Sequence, residues 1–135
     1  ELSVKSRERL KGVHPDLVKI VEHAALITRV PFQITEGLRT IERQKELVAK
    51  GASQTMNSRH LTGHAVDVVA MLDGKAVWDM KNYTLINEAM QFAAKDLNLM
   101  VEWGGNWSTL KDGPHFQLPK AYYGSVPSNQ GGRNA

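Results

Sequence analysis

Apolar residues recur at steps of three and four along three stretches of the chain, and this spacing is typical of amphipathic helices. The stretches are residues 15–28, 40–50 and 83–97. The first begins with proline, which suits the first turn of a helix, and a shorter helix is expected before it at residues 6–10. The pattern therefore predicts three core-facing helices and one short N-terminal helix.

The helix predicted at residues 40–50 has recognisable ends. Thr40 is a favourable N-cap, and Gly51 suits the position after the last turn. We expect the apolar residues Ile41, Leu47 and Val48 to face the core.

Short apolar or alternating stretches between the helices indicate β-strands. Asp73-Gly74 separates two of them and is a strong hairpin signal. Residues 52–64 carry small and polar side chains, so we expect a long loop there, and long loops in compact domains are often functional. The predicted strands are 32–35, 65–72, 75–78, 100–103 and 115–118.

Helices and strands are interspersed, but the hairpin and the short links favour antiparallel pairing over a doubly wound parallel sheet. The predicted class is α+β: a small single domain with a mainly antiparallel sheet flanked by helices. A chain of 135 residues can bury one core, whereas two cores would each be too small. We expect the domain to span residues 1–123 and the tail, residues 124–135, to be flexible because it lacks apolar anchors.

Composition narrows the chemistry that the chain can carry. Hydrophobic residues make up 41% and charged residues 23%, a balance that argues against disorder. There is no cysteine, so any metal must be held by histidine and carboxylate. The net charge of +3 favours anionic surroundings, such as nucleic acid, a membrane surface or a cell-wall polymer, although a solvated basic surface without a partner explains it equally well.

The chain carries no obvious membrane or targeting segment. No apolar stretch is long enough to cross a bilayer, and the first residues do not form a charged head followed by an apolar segment. We therefore expect neither membrane insertion nor secretion by a signal within this sequence.

Candidate metal ligands cluster around the predicted strand 65–72. His60 and His64 precede this strand, Asp67 lies within it, and His115 starts the last strand. Asp67 would place a charge on a sheet face among small apolar neighbours, which is costly unless a partner is present. His64 has the opposite strand parity from Asp67, so we expect it outside the ligand set.

Two kinds of partner would satisfy Asp67. A catalytic zinc ion, with about three protein ligands and one open position, is often held by imidazole and carboxylate. An arginine, Arg39 or Arg59, would satisfy the same charge without any metal. Spacing alone leaves both open, because short His/Asp patterns often arise by chance.

Three motifs resemble those of the zinc peptidases grouped as lysostaphin, D-alanyl-D-alanine peptidase and hedgehog relatives. Residues 58–67 match the S-x-H-x-x-G-x-A-x-D pattern of that group in full. Asp112 and His115 match its second motif, an acidic residue three positions before the last ligand, and residues 36–40 resemble its G-x-R-T segment. The order and separation of the motifs also fit, from about residue 13 to residue 118.

Within this group the chain is most similar to single-domain phage endolysins that cleave between L-alanine and D-glutamate in peptidoglycan. The acidic residue of its second motif is Asp112, where the dipeptidase branch typically carries glutamate, and the chain is short. Pro114 departs from the pattern, because the phage enzymes often have a glycine there.

The resemblance implies a ligand set and a proton shuttle. It places one catalytic Zn²⁺ on His60, Asp67 and His115, with Asp112 as the general base toward the attacking water.

The resemblance also implies that Arg39 is a catalytic residue that faces the scissile carbonyl or a substrate carboxylate. The alternative is a structural salt bridge from Arg39 to Glu36 or Glu42.

Ser58 and Trp107 are the expected substrate-side residues. Ser58 is expected to hold the loop or support a ligand and not to act as a nucleophile. Trp107 lies in a turn rich in glycine and asparagine just before Asp112, whereas Trp78 and Trp103 are expected in the core.

These implications predict a zinc-dependent peptidase that hydrolyses the L-alanyl-D-glutamate bond of peptidoglycan stem peptides in host cell lysis. Two alternatives use the same scaffold: a D-alanyl-D-alanine carboxypeptidase or dipeptidase, and a non-catalytic zinc-stabilised binding module. The expected partner is bacterial peptidoglycan, with no nucleic acid and no stable membrane insertion. The resemblance further implies a monomer that accumulates in the host cytoplasm and reaches the periplasm and cell wall with the help of a holin-like membrane protein.

Overall fold

A computed structural model describes residues 1–53, 56, 58–108 and 111–123, without the side chain of Tyr122. The predicted tail, residues 124–135, lies outside the described residues. Within the described part of the chain, no helix combines the length and the apolar character that a membrane span requires.

Apart from α5, which the sequence pattern did not predict, the helices and strands occur close to where the sequence predicts them. The helices are α1 (Val4–Arg9), α2 (Pro15–Ile27), α3 (Ile41–Ala49), α4 (Met80–Asp96) and α5 (Lys120–Tyr123), with short 3₁₀ turns at Arg59–Thr62 and Gly104–Asn106. The strands are β1 (Phe32–Glu36), β2 (Ala65–Leu72), β3 (Lys75–Val77), β4 (Glu102–Trp103) and β5 (His115–Gln117).

The strands form one antiparallel sheet in the order β1-β2-β5-β4, and β3 pairs with the end of β2. Asp67 pairs with His115 across β2 and β5, and a bulge in β1 brings Glu36 opposite Asp67 on the other side. In the next pair of strands, Glu102 lies opposite Gln117. The register therefore gathers polar side chains at one end of the sheet.

The predicted α+β class is confirmed, and the core lies between the sheet and the helices α2 and α4, which pack on each other. Each fully buried aliphatic side chain there contributes about 1.5–3 kcal/mol relative to exposure. Core side chains with no exposed surface are Leu17, Ile20 and Val21 of α2, Ile86 and Met90 of α4, and Ile34, Val66, Val68 and Phe116 of the sheet.

The hairpin between β2 and β3 is confirmed in its detail. Asp73 and Gly74 have φ values of 53° and 77°, the left-handed conformation that a two-residue type I′ turn requires at both positions. Aspartate and glycine tolerate this conformation better than most residues, which is why the dipeptide predicts the turn.

The prediction for the inner face of α3 is wrong. Ile41 is 56% exposed and Val48 is 36% exposed, whereas Leu47 is partly buried and Gln44 is fully buried. The reason is that α3 contributes no side chain to the main apolar core. Gln44 instead bonds polar side chains, accepting from Arg39 and donating to Ser53.

Trp78 is a second correction, because it is 62% exposed and lies outside the core. Trp103 is buried as expected, with its ring 6.5 Å from that of Phe116 and its Nε1 donating to the Gly113 carbonyl at 2.7 Å. The indole N–H therefore has a hydrogen-bond partner although the ring is buried.

Helix α1 covers the free edge of β1. The backbone N–H of Ile34 donates to Ser6 Oγ at 2.9 Å, and the guanidinium of Arg9 donates to the Ile34 carbonyl at 2.9 Å. Both backbone groups that this edge residue would offer to another strand are thus satisfied within the chain.

Candidate metal centre

Three separate segments bring His60, Asp67 and His115 together. His60 lies in the 3₁₀ turn after Ser58, whose hydroxyl accepts from the His60 backbone N–H at 3.2 Å and caps the turn. Gly63 ends the turn in the left-handed conformation, with φ 76°, so the chain can enter β2 directly. One potential ligand atom from each of the three side chains lies within 4.8 Å of the others.

His60 points an unprotonated nitrogen at the cluster. Its Nδ1 is 2.9 Å from the Gly37 carbonyl, and because a carbonyl can only accept, Nδ1 carries the proton. In the neutral ring Nε2 then has a free lone pair, and this atom lies 3.4 Å from Asp67 Oδ2. This atom is buried and has no hydrogen-bond partner, which is costly for a polar atom unless a ligand satisfies it.

His115 contacts Asp67 with one nitrogen and Gln117 with the other. Its Nδ1 is 3.2 Å from Asp67 Oδ1, and its Nε2 is 2.8 Å from Gln117 Oε1. Burial alone would lower the pKa of His115, but Asp67 outweighs it and raises that pKa. Burial would raise the pKa of Asp67, but its hydrogen bond with His115 and the nearby imidazole of His60 hold that pKa well below its usual range.

This cluster is compatible with a metal ion. The donor set is two imidazoles and one carboxylate, a combination that zinc accepts in proteins. The Nε2 atom of His60 gives independent support, because it is buried beside a carboxylate and has no hydrogen-bond partner. A bound cation would satisfy both the nitrogen and the carboxylate. The residues present therefore fit the zinc ion that the resemblance implies.

Asp112 lies in the turn before β5. Two backbone hydrogen bonds fix this turn. The Asp112 N–H donates to the Gly104 carbonyl at 3.0 Å, and the His115 N–H donates to the Asp112 carbonyl at 3.1 Å. Burial and the negative charge of Asp67 raise the pKa of Asp112, and the nearby imidazoles and Arg39 oppose that rise. Among the described residues, none donates a hydrogen bond to its carboxylate.

Gly104 permits this close approach. A Cβ at Gly104 would lie 2.4 Å from the Asp112 carbonyl oxygen and 3.1 Å from the Cβ of His115. Only glycine fits between the turn at Gly104–Asn106 and the segment that carries Asp112 and His115.

Arg39 is held from two sides next to the cluster. Its guanidinium donates to Glu36 Oε1 at 2.5 Å and to Gln44 Oε1 at 2.7 Å, and Nη2 lies 3.7 Å from Asp67 Oδ2. The salt bridge that the sequence left open as an alternative role for Arg39 is present, to Glu36. Of the two arginines proposed as partners for Asp67, Arg39 approaches it, whereas Arg59 donates to the Leu118 carbonyl at 2.7 Å.

These side chains line one open cavity of about 710 Å³. Trp107 is half-buried in its wall, with its ring 5.1 Å from that of His115. All predicted site residues contribute to the cavity, namely Arg39, Ser58, His60, Asp67, Trp107, Asp112 and His115. The cavity is also lined by Glu36, Glu102 and Gln117, which were not among the predicted site residues.

His64 lies outside the cluster, as its strand parity predicts. Its Nδ1 is 2.6 Å from Thr62 Oγ1, and its ring lies 5.4 Å from that of His14 and 6.1 Å from that of Tyr123. Burial, together with the nearby charges of Arg59 and His14, lowers the pKa of His64 to about 4.

The fold and this site define the class of the protein. An α+β domain with a metal-compatible His-Asp-His cluster and a carboxylate of raised pKa in an open cleft is the arrangement of a peptidase of the metal-dependent kind. The sequence profile of phage L-alanyl-D-glutamate peptidases matches residues 1–118. The chain therefore belongs to the phage L-alanyl-D-glutamate peptidase family.

Individual relatives agree with this assignment. An L-alanyl-D-glutamate peptidase of Escherichia phage T5 is 29% identical over 122 residues, which cover 87% of this chain and 88% of that protein. One from Listeria phage A118 is 44% identical over 98 residues, which cover 73% of this chain and 34% of that protein. The crystal structure of the L-Ala D-Glu endopeptidase ChiX from Serratia marcescens has a TM-score of 0.88 at 51% identity and covers 93% of this chain and 95% of its own.

Proposed function

We propose that the chain is a zinc-dependent endopeptidase that hydrolyses the L-alanyl-D-glutamate bond of peptidoglycan stem peptides. The observation that carries the proposal is the buried, unpartnered Nε2 of His60, which faces Asp67 in a cleft that also contains His115 and Asp112. The names of the relatives from phage T5 and Serratia marcescens support the choice of bond.

His60, Asp67 and His115 are the proposed zinc ligands, through His60 Nε2, the Asp67 carboxylate and His115 Nδ1. When bound, zinc acts as a Lewis acid that increases the acidity of water and polarises a carbonyl oxygen. A set of three protein ligands supports a catalytic role, because structural zinc sites usually have four.

Asp112 is the proposed general base. Its carboxylate lines the cavity and accepts no hydrogen bond from the described residues, so it is available to an attacking water. Its raised pKa makes it a better base than an ordinary aspartate. It takes a proton from the water and delivers it to the amine of the D-glutamate residue as the peptide C–N bond breaks.

Arg39 is the proposed donor to the oxygen that becomes negative during attack, or to a carboxylate of the substrate. The contacts with Glu36 and Gln44 support this role because they fix the guanidinium before substrate arrives, which is what electrostatic preorganisation requires. Trp107 offers a flat apolar wall to the substrate beside His115. Ser58 supports the site by capping the turn that carries His60.

We also propose that residues 1–123 form the catalytic domain and act as a monomer in lysis of a phage host. The protein would accumulate in the host cytoplasm and reach peptidoglycan in the periplasm and cell wall through the action of a holin-like membrane protein. The phage origin of the family supports this assignment. Expression in bacteria with and without a holin tests it: lysis only with the holin supports the dependence, and lysis by the chain alone contradicts it.

Mass spectrometry of purified peptidoglycan after digestion tests the proposed reaction. New amino termini on D-glutamate, lost after chelation and restored by zinc, are the expected result. Release of free D-alanine would instead identify a carboxypeptidase or dipeptidase. An unchanged digest by a folded, zinc-loaded protein would overturn the proposal in favour of a binding module.

A further inference from the structure

The ring of His115 faces two groups that place opposite demands on its protons. Asp67 Oδ1 lies 3.2 Å from Nδ1, and a carboxylate can only accept, so Asp67 alone would draw the ring proton to Nδ1. A proton on Nδ1 blocks the lone pair that a metal needs, because metal-ligating nitrogens must be unprotonated.

Gln117 makes the opposite demand at Nε2. Its side-chain Oε1 is 2.8 Å from His115 Nε2, and a carbonyl oxygen can satisfy that nitrogen only if Nε2 carries a proton. An amide can turn over, however, and present its NH₂ group to the ring, which would favour the other tautomer.

Glu102 determines which way the amide of Gln117 faces. Its Oε1 is 3.0 Å from Gln117 Nε2, and this carboxylate accepts from the amide nitrogen and cannot donate to the amide oxygen. The nitrogen therefore faces Glu102, and the oxygen faces His115.

The strand register builds this chain of contacts. His115 and Gln117 are two positions apart on β5 and so share a face, while Glu102 is the cross-strand partner of Gln117 on β4. His115 is 7% exposed and Gln117 is 8% exposed, so little water competes for their hydrogen bond. Glu102 is itself exposed and keeps its charge solvated.

We propose that Gln117 and Glu102 are positioning residues that hold a proton on His115 Nε2 and so reserve Nδ1 for the metal. This inference rests on the proposed function in one respect, namely that the cluster binds zinc. It adds a second layer to the site that none of the three matched motifs contains.

Zinc affinity of the Gln117→Leu variant is the first test, measured by competition with a chromophoric chelator. Leucine keeps the approximate volume but cannot accept a hydrogen bond, and the loss of such an outer partner typically weakens metal binding by about 10- to 100-fold. Gln91→Leu is the matched control. Gln91 also donates with its amide, to Asn87 and to the Val101 carbonyl, but none of these residues contacts a ligand. The control should bind zinc like the wild type.

Exchanging the two side chains gives a rescue experiment. Glu102→Gln alone leaves two amides that can both turn over, so we expect a zinc affinity between those of the wild type and Gln117→Leu. Combining Glu102→Gln with Gln117→Glu restores an acceptor toward His115 and a donor on β4. The double variant should therefore recover zinc affinity.

Nitrogen-15 NMR of the zinc-loaded proteins detects the proton on His115 Nε2 directly. The His115 Nε2–H should give a slowly exchanging resonance in the wild type and the double variant, and exchange rapidly with water in Gln117→Leu. The inference is overturned if folded Gln117→Leu binds zinc as tightly as Gln91→Leu, or if the double variant recovers nothing. A wild-type chain that binds no zinc would instead overturn the proposed metal site.

Discussion

At the scale of single residues, Asp112 differs from Asp67 although both carboxylates line the same cavity. Asp67 is contacted by His60, His115 and Arg39, which hold it in the charged form. Asp112 has a raised pKa and no such contact among the described residues. The first carboxylate suits a ligand and the second suits a proton shuttle.

Asp112→Asn tests this division of roles. The variant should retain zinc, because Asp112 is not in the ligand cluster, but lose wall-degrading activity by about 10²- to 10⁴-fold, the usual contribution of a general base. Metal analysis of the purified variant beside a peptidoglycan digestion assay measures both. Loss of the metal together with the activity would show that Asp112 is a ligand.

Arg39→Lys tests whether the guanidinium geometry matters in addition to its charge. Lysine keeps the charge but cannot donate to Glu36 and Gln44 from one planar group, so we expect activity to fall by about 10- to 100-fold at unchanged zinc content. Arg43→Lys is the control, because Arg43 lies exposed on α3, and among the described residues its side chain pairs with Glu46 alone. Equal activity of the two variants would contradict the proposed role of Arg39.

The motif residues could be predicted from the sequence, whereas the amides that support them could not. Residue type and spacing make His60, Asp67 and His115 candidates, the resemblance to the zinc peptidases implies that they are the ligands, and the structure brings all three together. Gln44 and Gln117 carry no comparable signal. A buried glutamine is stable only through partners that tertiary structure supplies, and those partners lie outside the helix of Gln44 or on a different strand from Gln117.

At the scale of elements, apolar periodicity predicts α2 and α4 well because both bury a wide stripe against the sheet. It misplaces the inner face of α3, which covers the polar site and buries Gln44 instead of Ile41. The strand β2 is predicted at its observed limits, since it is rich in β-branched residues and ends in a clear turn signal. That turn also predicts its pairing with β3, but its pairing with β1 and β5 does not follow from local pattern.

Gly104→Ala tests whether close contact between elements positions the site. The added methyl group would meet the backbone of Asp112, so the segment before β5 must shift. We expect a loss of about 1–3 kcal/mol in the free energy of unfolding, and weaker zinc binding because His115 moves with the segment. Urea unfolding and zinc titration measure these effects.

Gly74→Asn is the control for that experiment, because a side chain at Gly74 meets nothing within 4 Å and asparagine tolerates its positive φ of 77°. Should both variants show the same stability and zinc affinity, the contact at Gly104 would not position the ligand.

At the scale of the whole molecule, a ring cluster joins distant parts of the chain. The ring of His14, the N-cap of α2, lies 5.4 Å from the ring of His64 and 5.1 Å from that of Tyr123 in α5. Tyr123 also donates its hydroxyl proton to Asp16 Oδ2 at 2.6 Å. The cluster holds α5 against the start of α2 and half-buries the imidazole of His64, which disfavours its charged form.

This cluster should make stability depend on pH. In the unfolded chain His64 has its ordinary pKa of 6.5, but in the folded chain its pKa is about 4, so protons favour unfolding between these values. The contribution of His64 to stability is therefore complete above about pH 6.5 and is lost as the pH falls toward 4. His64→Asn removes this titration.

Urea unfolding of the wild type and His64→Asn at several pH values from 8 to about 4 measures the effect. Relative to its value at pH 8, the variant should lose less stability at pH 4, by about 1–2 kcal/mol after allowance for the partial exposure of the ring. Parallel curves for the two proteins would exclude His64 as a source of the dependence.

The pairing of Asp67 with His115 has one further consequence. These residues are 48 positions apart in the sequence. A cation bound by both would therefore link β2 to β5 and join the two ends of a segment that makes up most of the second half of the domain. An ion that binds this cluster in the native state and not in the denatured chain stabilises the native state. Removal of the ion would then abolish activity and also destabilise β5, the strand that carries His115. The metal-free protein should therefore be inactive and more sensitive to proteases.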